Sequence, residues 1–72
     1  MDRIVAEVID AAARDDRAAL IALLHPYLHW TEAGRTLRGR NNVFARLEAG
    51  PPLTAPASYE LRDGQVYRWN AG

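Results

Sequence analysis

Residue types capable of proton transfer lie together in one short segment of the chain. Tyr27, His29 and Glu32 occur there among apolar residues. General acid–base catalysis needs a titratable side chain whose pKa is tuned by burial or by its neighbours. Glu32 is the best catalytic candidate, with His29 and Tyr27 beside it. The alternative, which we favour, is that Glu32 is a solvated carboxylate at the end of a strand.

A histidine pair raises the question of a metal site. His25 and His29 are four positions apart, the spacing of a helical ligand pair, but Pro26 interrupts any helix between them. Glu32 is the one nearby carboxylate that would complete a ligand set, and the chain has no cysteine to supply a thiolate. We therefore expect no metal and no cofactor.

Arginines gather before the third predicted helix. Arg35, Arg38 and Arg40 form a small basic patch, and Arg38 and Arg40 flank the glycine that precedes this helix. The free N–H groups at a helix start, together with guanidinium groups, form a candidate site for an anion such as phosphate or carboxylate. The alternative is that these arginines form surface ion pairs, for which the candidate partners are Glu32, Glu48 and Glu60.

The charge balance argues against polyanionic partners. Nine basic and nine acidic residues give a formal net charge of zero, so no global field draws the chain to nucleic acid or to anionic lipid. The arginine patch also lacks interleaved aromatic residues in the sequence. We therefore expect neither a nucleic acid nor a membrane as partner.

The length of the chain limits its core. A chain of 72 residues buries only about 60% of the surface that its unfolded form exposes. Domains of this size usually need additional stabilisation from a disulfide, a metal or self-association. No cysteine is present to form a disulfide. The hydrophobic share of 49% and the charged share of 25% are typical of a globular protein. We predict a single domain, residues 1–72, that self-associates, most simply as a homodimer.

Two features of the sequence bear on location and source. The longest apolar run, from Ala18 to Leu24, is far shorter than the about 20 residues that cross a bilayer. The first residues do not resemble a signal peptide, so we expect a cytoplasmic protein. Every basic residue is arginine and the predicted helices are rich in alanine, which we interpret as the codon bias of a GC-rich, bacterial genome.

Apolar periodicity predicts three helices. Their expected ranges are 2–14, 16–24 and 40–49. Asp2 is placed to cap the first, Asp15 and Asp16 both offer a cap for the second, and Gly50 with the prolines after it ends the third. Pro26 forbids continuation of the second helix, so we expect the chain to turn there.

Alternation of residue types predicts the first strands. The expected elements are a strand at 27–32, a turn at 33–35 and a short return strand at 36–38. Leu28 and Trp30 lie on one side of the first strand. Tyr27, His29 and Thr31 lie on the other.

A second hairpin follows an extended, proline-rich connector at 51–57. Its strands are expected at 58–62 and 65–69, and Asp63-Gly64 between them is the signature of a type I′ turn, in which both residues have positive φ. In the register of a two-residue loop, Leu61 faces Val66 and Tyr59 faces Arg68.

Two aromatic residues of the last strand have alternative roles. Tyr67 and Trp69 are expected on the same hairpin face, opposite an inner face formed by Leu61, Val66 and Tyr59. They belong either to the core under the helices or to an interface. We favour an interface between subunits, because tyrosine and tryptophan are enriched there.

Four stretches of the chain, taken in order, resemble a known family. They are Asp16 to Pro26, Trp30-Thr31-Glu32, Leu37 to Arg40, and Leu61 to Trp69 around the Asp-Gly turn. Together they resemble the SnoaL-like polyketide-cyclase branch of the nuclear transport factor two-like superfamily. The resemblance implies an α+β, cystatin-like fold in which three helices pack on a small curved antiparallel sheet.

The resemblance also implies what is missing. The chain has about half the usual length of the family, and its last hairpin follows helix three at once, so two middle strands are inferred to be absent. The family's last strand lies beside its first, so the remaining strands can still form a sheet. The family's cone usually encloses a pocket, and here the expected pocket residues are Trp30, Leu37 and Phe44.

Three functional hypotheses follow. The first is a non-enzymatic, self-associating SnoaL-like domain with at most a small apolar ligand pocket. The second is a small-molecule isomerase, cyclase or hydratase-like enzyme that uses Glu32. The third is a module that binds a protein partner through its exposed sheet.

Overall fold

Three helices and four strands make up residues 2–72, the part of the chain that the computed structural model describes. The helices are α1 (Arg3–Ala13), α2 (Arg17–Leu23) and α3 (Arg40–Ala49). The strands are β1 (Leu24–Glu32), β2 (Arg35–Arg38), β3 (Ser58–Arg62) and β4 (Gln65–Asn70). The predicted α+β class is confirmed.

The helices lie within one residue of their predicted bounds, and those of α3 are as predicted. Asp16 caps α2, since its Oδ1 accepts a hydrogen bond from the Ala19 N–H at 3.1 Å. The predicted side-chain cap by Asp2 is wrong, because its carboxylate accepts a hydrogen bond from the Tyr59 hydroxyl instead. Within residues 2–72, none of the helices has the length and apolar character needed to cross a membrane.

The four strands form one curved, unclosed sheet in the order β2-β1-β4-β3. Two antiparallel hairpins, β1–β2 and β3–β4, meet at the centre, where β1 and β4 pair in parallel. The last strand therefore lies beside the first, as expected. The sheet is mixed and not wholly antiparallel, because the chain between β1 and β4 contains α3 and so can cross over between parallel strands.

Helices cover one face of this sheet, here called the inner face. The indole rings of Trp30 on β1 and Trp69 on β4 stack in it, with centroids 4.7 Å apart and planes within 1° of parallel. The buried residues around them are Val5, Val8, Ala11, Leu20, Leu24, Leu28, Val43, Phe44, Leu53 and Val66. Leu53 anchors the proline-rich connector, which has no regular secondary structure.

The first strand begins three residues before its predicted start. The expected turn at Pro26 is wrong, because α2 ends at Leu23 and β1 runs through Pro26. Proline fits an extended strand where no N–H is needed in the ladder. Its pairing with β4 is irregular between Leu24 and His29, so Pro26 lies in this irregular stretch.

The predicted type I′ turn is present, with φ of 54° at Asp63 and 78° at Gly64. Leu61 pairs with Val66 as predicted, but the register then shifts, so that Glu60 pairs with Arg68. Tyr67 is thus the extra residue of a β-bulge.

This bulge corrects two predicted placements. Tyr59 lies opposite Trp69 and not Arg68, and Trp69 points to the inner face while Tyr67 does not. Trp69 is therefore a core residue, and only Tyr67 lies where an interface was predicted. Leu61 was predicted to be buried, yet it is 45% exposed because β3 is an edge strand.

The pair Leu61 and Val66 tests this arrangement. Val66 is fully buried and Leu61 is not, so Val66→Asp should abolish folding by burying an unpaired charge, whereas Leu61→Asp should preserve the fold. Far-UV circular dichroism and the dispersion of amide NMR signals measure the outcome. An unfolded Leu61→Asp protein would show that Leu61 belongs to the core.

Candidate functional site

The catalytic candidate Glu32 forms an ion pair with Arg46. Nε and Nη2 of Arg46 donate to the two oxygens of the Glu32 carboxylate at 2.5 and 2.6 Å. The side chain of Glu32 is 27% exposed and that of Arg46 is 14% exposed. The predicted solvated glutamate is therefore wrong, because both of its oxygens are held by a guanidinium in fork geometry.

Three elements position this pair. Glu32 ends β1, and its Oε1 also accepts a hydrogen bond from the Trp30 indole at 3.1 Å. Arg46 lies in α3 and donates from Nη1 to the Pro51 carbonyl at 2.7 Å. Gly50 permits this close approach, since a Cβ there would lie 2.8 Å from both Nη1 and the carbonyl oxygen of Arg46.

This environment determines the charge of Glu32. The hydrogen bonds from Arg46 lower the pKa of its carboxyl, against the opposing effect of burial, and the Trp30 hydrogen bond lowers it further. A general base for neutral pH needs a pKa raised towards neutrality. Glu32 has the opposite shift, so it is a poor proton acceptor.

A shallow groove of about 260 Å³ adjoins the ion pair. Its lining is mostly apolar and consists of Glu32, Ala33, Arg35, Leu37, Arg46, Gly50 and Pro51. Leu37 is the one predicted pocket residue in it. Trp30 stacks in the core and Phe44 is buried beneath the guanidinium of Arg17, 4.6 Å from its ring centroid.

His29 and Tyr27 lie on the other side of β1 from Glu32. Their side chains belong to the solvent-facing side of the sheet, here called the outer face. Its residues are His25, Tyr27, His29, Thr31, Thr36, Arg38, Glu60, Arg62, Tyr67 and Arg68. The three predicted catalytic residues are therefore not assembled into one site.

The outer face collects aromatic rings and guanidinium groups. Tyr67 contacts His25 and His29 edge to face, with centroids 5.1 and 5.3 Å apart. Arg62 lies over the Tyr67 ring at 4.1 Å. Tyr27 takes no part in these contacts and is 75% exposed.

His29 lies among three arginines on this face. Partial burial lowers the pKa of its imidazole, and the charges of Arg38, Arg68 and Arg62 lower it further. Both effects favour the neutral form of the His29 ring. Next to it is a depression of about 490 Å³ whose lining includes His29, Arg62, Tyr67 and Arg68 but not Tyr27.

The predicted anion-site residues Arg38 and Arg40 both line a shallow depression of about 280 Å³ at the start of α3. Arg40 donates to the carbonyls of Ile21 and Leu24 at 3.1 and 3.3 Å, so it joins α3 to the end of α2. Arg38 pairs with His29 on the outer face. The acidic partners considered for these arginines are taken by others: Glu32 by Arg46, Glu48 by Arg17 and Glu60 by Arg68.

Sequence reasoning missed Arg46, Arg62 and Arg68. Nothing in the sequence distinguishes Arg46 from the other arginines, because its partner lies on another element. The alternation around Asp63-Gly64 predicts Arg62 on the same face as Tyr67, but it predicts Arg68 on the opposite face, because the bulge has no sequence signal. Among residues 2–72, no three histidine or acidic side chains are close enough to bind a metal.

Comparison with known proteins adds no assignment. No protein-family model matches the chain, and neither a curated protein nor a solved structure is significantly similar to it. The function must therefore be argued from the chain's own residues.

Replacement of Glu32 by glutamine tests the structural role of its ion pair. Glu32→Gln should lower the free energy of unfolding by about 1–3 kcal/mol at neutral pH, because a half-buried Arg46 loses its charged acceptor. Since folding lowers the pKa of Glu32, the pair stabilises the fold above the unfolded pKa, and this stabilisation is lost as pH falls through the folded pKa. The difference between variant and wild type should therefore shrink in acid.

Urea unfolding at several pH values measures this difference. Glu7→Gln is the control, because Glu7 pairs with Arg3 only on the surface. An NMR titration of the Glu32 carboxyl gives an independent reading. A pKa above its ordinary value would contradict the structural role and favour a general base.

Proposed function

We propose that this chain is a shortened SnoaL-like domain whose function is non-enzymatic and that it acts as a homodimer joined through β3. The observation that supports the proposal is the exposed edge of β3, where Leu61 is 45% exposed between Glu60 and Arg62. The element order and the position of the last strand beside the first support the resemblance. The mixed, unclosed sheet is consistent with a cone that lacks two strands.

The chemistry of the candidate residues supports a non-enzymatic role. Glu32 is held by Arg46 with a lowered pKa, and His29 and Tyr27 lie on the opposite face of the sheet. An isomerase or cyclase needs a base facing an enclosed cavity. The groove beside Glu32 is open and smaller than the about 300 Å³ of typical ligand sites, so we assign it at most a small apolar ligand.

The backbone of β3 is suited to pairing. Arg62 and Gln65 flank the two-residue turn, and residues in that position form a hydrogen-bonded pair. The N–H and C=O of Leu61 therefore point away from β4, towards the open edge. Such an edge is a ready template for another strand.

The side chains of β3 are complementary to a second copy of β3. In an antiparallel pair centred on Leu61, each Leu61 lies opposite the other, and Glu60 of one chain lies opposite Arg62 of its partner. This register gives one apolar contact and two opposite-charge pairs around a two-fold axis. The other edge strand, β2, is short and begins and ends with arginine, which discourages pairing there.

Sedimentation velocity at micromolar concentration tests the dimer. Wild type should sediment as a dimer, and Leu61→Asp should sediment as a folded monomer. Ile21→Asp is the control, because Ile21 is similarly exposed, at 43%, but lies on α2. A monomeric wild type, or dissociation by Ile21→Asp alone, would refute the β3 interface.

Charge reversal tests the register of the same interface. Glu60→Arg and Arg62→Glu should each weaken the dimer, because each places like charges opposite one another. The double variant should regain dimerisation, since it restores both pairs with their signs exchanged. A double variant no better than the singles would exclude this register.

A further inference from the structure

The outer face carries a positive charge that the neutral composition conceals. Arg38, Arg62 and Arg68 reach it from β2, β3 and β4, against the single carboxylate of Glu60. The opposite imbalance lies in the first two helices and their linker, where residues 2–17 hold five acidic and three basic side chains. The fold therefore separates charge, and one side of the sheet attracts anions.

Within a single chain, two of these arginines have no acidic partner among residues 2–72. Arg68 forms an exposed ion pair with Glu60 at 2.9 Å, and such pairs are weak. Among residues 2–72, neither Arg38 nor Arg62 forms an ion pair with a carboxylate. Arg62 instead presents a guanidinium plane stacked on Tyr67 at 4.1 Å, a surface on which a further planar group can stack.

Ring-bearing side chains run between these charges along β1. His25, Tyr27 and His29 occupy alternate positions of one strand, and the ring centroids of His25 and Tyr27 are 5.9 Å apart. Tyr27 is the most exposed of them, at 75%. Arg38 and Arg62, three strand positions apart in the sheet, are separated by about 14 Å across it.

These features select one kind of occupant. The outer face of a second copy would bring arginines against arginines, which is repulsive. A polyanion with exposed planar groups satisfies both the guanidinium groups and the rings, whereas a duplex keeps its bases stacked inside. We propose that the outer face binds single-stranded nucleic acid, with Arg38 at a phosphate and Tyr27 stacking on a base.

This proposal departs from the expectation drawn from the sequence. Nucleic acid was set aside because no aromatic residues are interleaved with Arg35, Arg38 and Arg40 along the chain. Strand pairing supplies the interleaving in space, since His29 lies between Arg38 on β2 and Arg68 on β4. The proposal goes beyond dimerisation and does not depend on it, because Arg38 and Tyr27 lie away from the β3 edge.

Fluorescence anisotropy with labelled oligothymidylate and oligouridylate of about 12 nucleotides tests the proposal. Wild type should bind either probe, with an affinity that falls as salt rises from about 50 to 200 mM. Tyr27→Ala should weaken binding at least about fivefold through lost stacking. Arg38→Ala should also weaken it and reduce the salt slope by about 0.7, the contribution of one phosphate.

Controls separate this site from general attraction. Arg3→Ala removes the same charge from the helical side, where the side chain is 93% exposed, and should leave binding unchanged. Circular dichroism establishes that each variant is folded. Absence of binding, equal loss with Arg3→Ala, equal affinity for duplex DNA, or binding only to anionic phospholipid vesicles would each overturn the proposal.

Leu61→Asp distinguishes this proposal from the dimer. The variant should still bind the oligonucleotide as a monomer, because Tyr27 and Arg38 are unchanged. Loss of dimerisation with retained binding would leave the nucleic-acid proposal standing alone. Loss of binding in folded Leu61→Asp protein would contradict a face that each chain carries by itself.

Discussion

The parallel pairing of β1 with β4 is the contact on which the rest of the structure depends. It joins two antiparallel hairpins that are far apart in the sequence, and its centre is the stack of Trp30 on Trp69. The indole of Trp69 is held by packing, because its N–H has no protein acceptor within residues 2–72. The same register brings His29 beside Arg68 on the outer face. A shift by one residue would exchange the faces of one strand, and both the core and the arginine cluster would be lost.

Helix α3 shows how arginine replaces apolar surface in a small domain. Only Val43 and Phe44 of this helix are buried, so its apolar contact with the sheet is narrow. Arg46 adds a fork to Glu32 and a hydrogen bond to the Pro51 carbonyl, and thereby links the helix to β1 and to the connector after it. A residue pair that resembles an active-site carboxylate with its cation is therefore part of the framework. Glu32 thus joins β1 to α3 through Arg46.

Local signals in the sequence are more reliable here than long-range ones. The bounds of α3 and the type I′ turn follow from residues that are neighbours in the chain, namely Gly39, Gly50 and the Asp63-Gly64 pair. The bulge at Tyr67 has no such signal, and it alone moves Trp69 into the core and Arg68 to the outer face. The partner of Arg46 was equally hidden, since any of several carboxylates satisfied the sequence. The turn predicted at Pro26 is wrong because a proline that ends a helix is also compatible with the strand that follows.

The strand order has a consequence for the way in which this chain acquires its structure. β4 is the last strand in the sequence, yet it occupies the centre of the sheet between β1 and β3. During synthesis β1 emerges with one neighbour, β2, and its other side waits until the final hairpin has left the ribosome. The ladder between β1 and β4 therefore closes a large loop and forms late. Until it forms, the apolar side chains of α1, α2 and the first hairpin are not covered by β4. In this interval Trp30 is open to aberrant contacts, and the rate of synthesis sets the length of the interval, because a hairpin closes within microseconds.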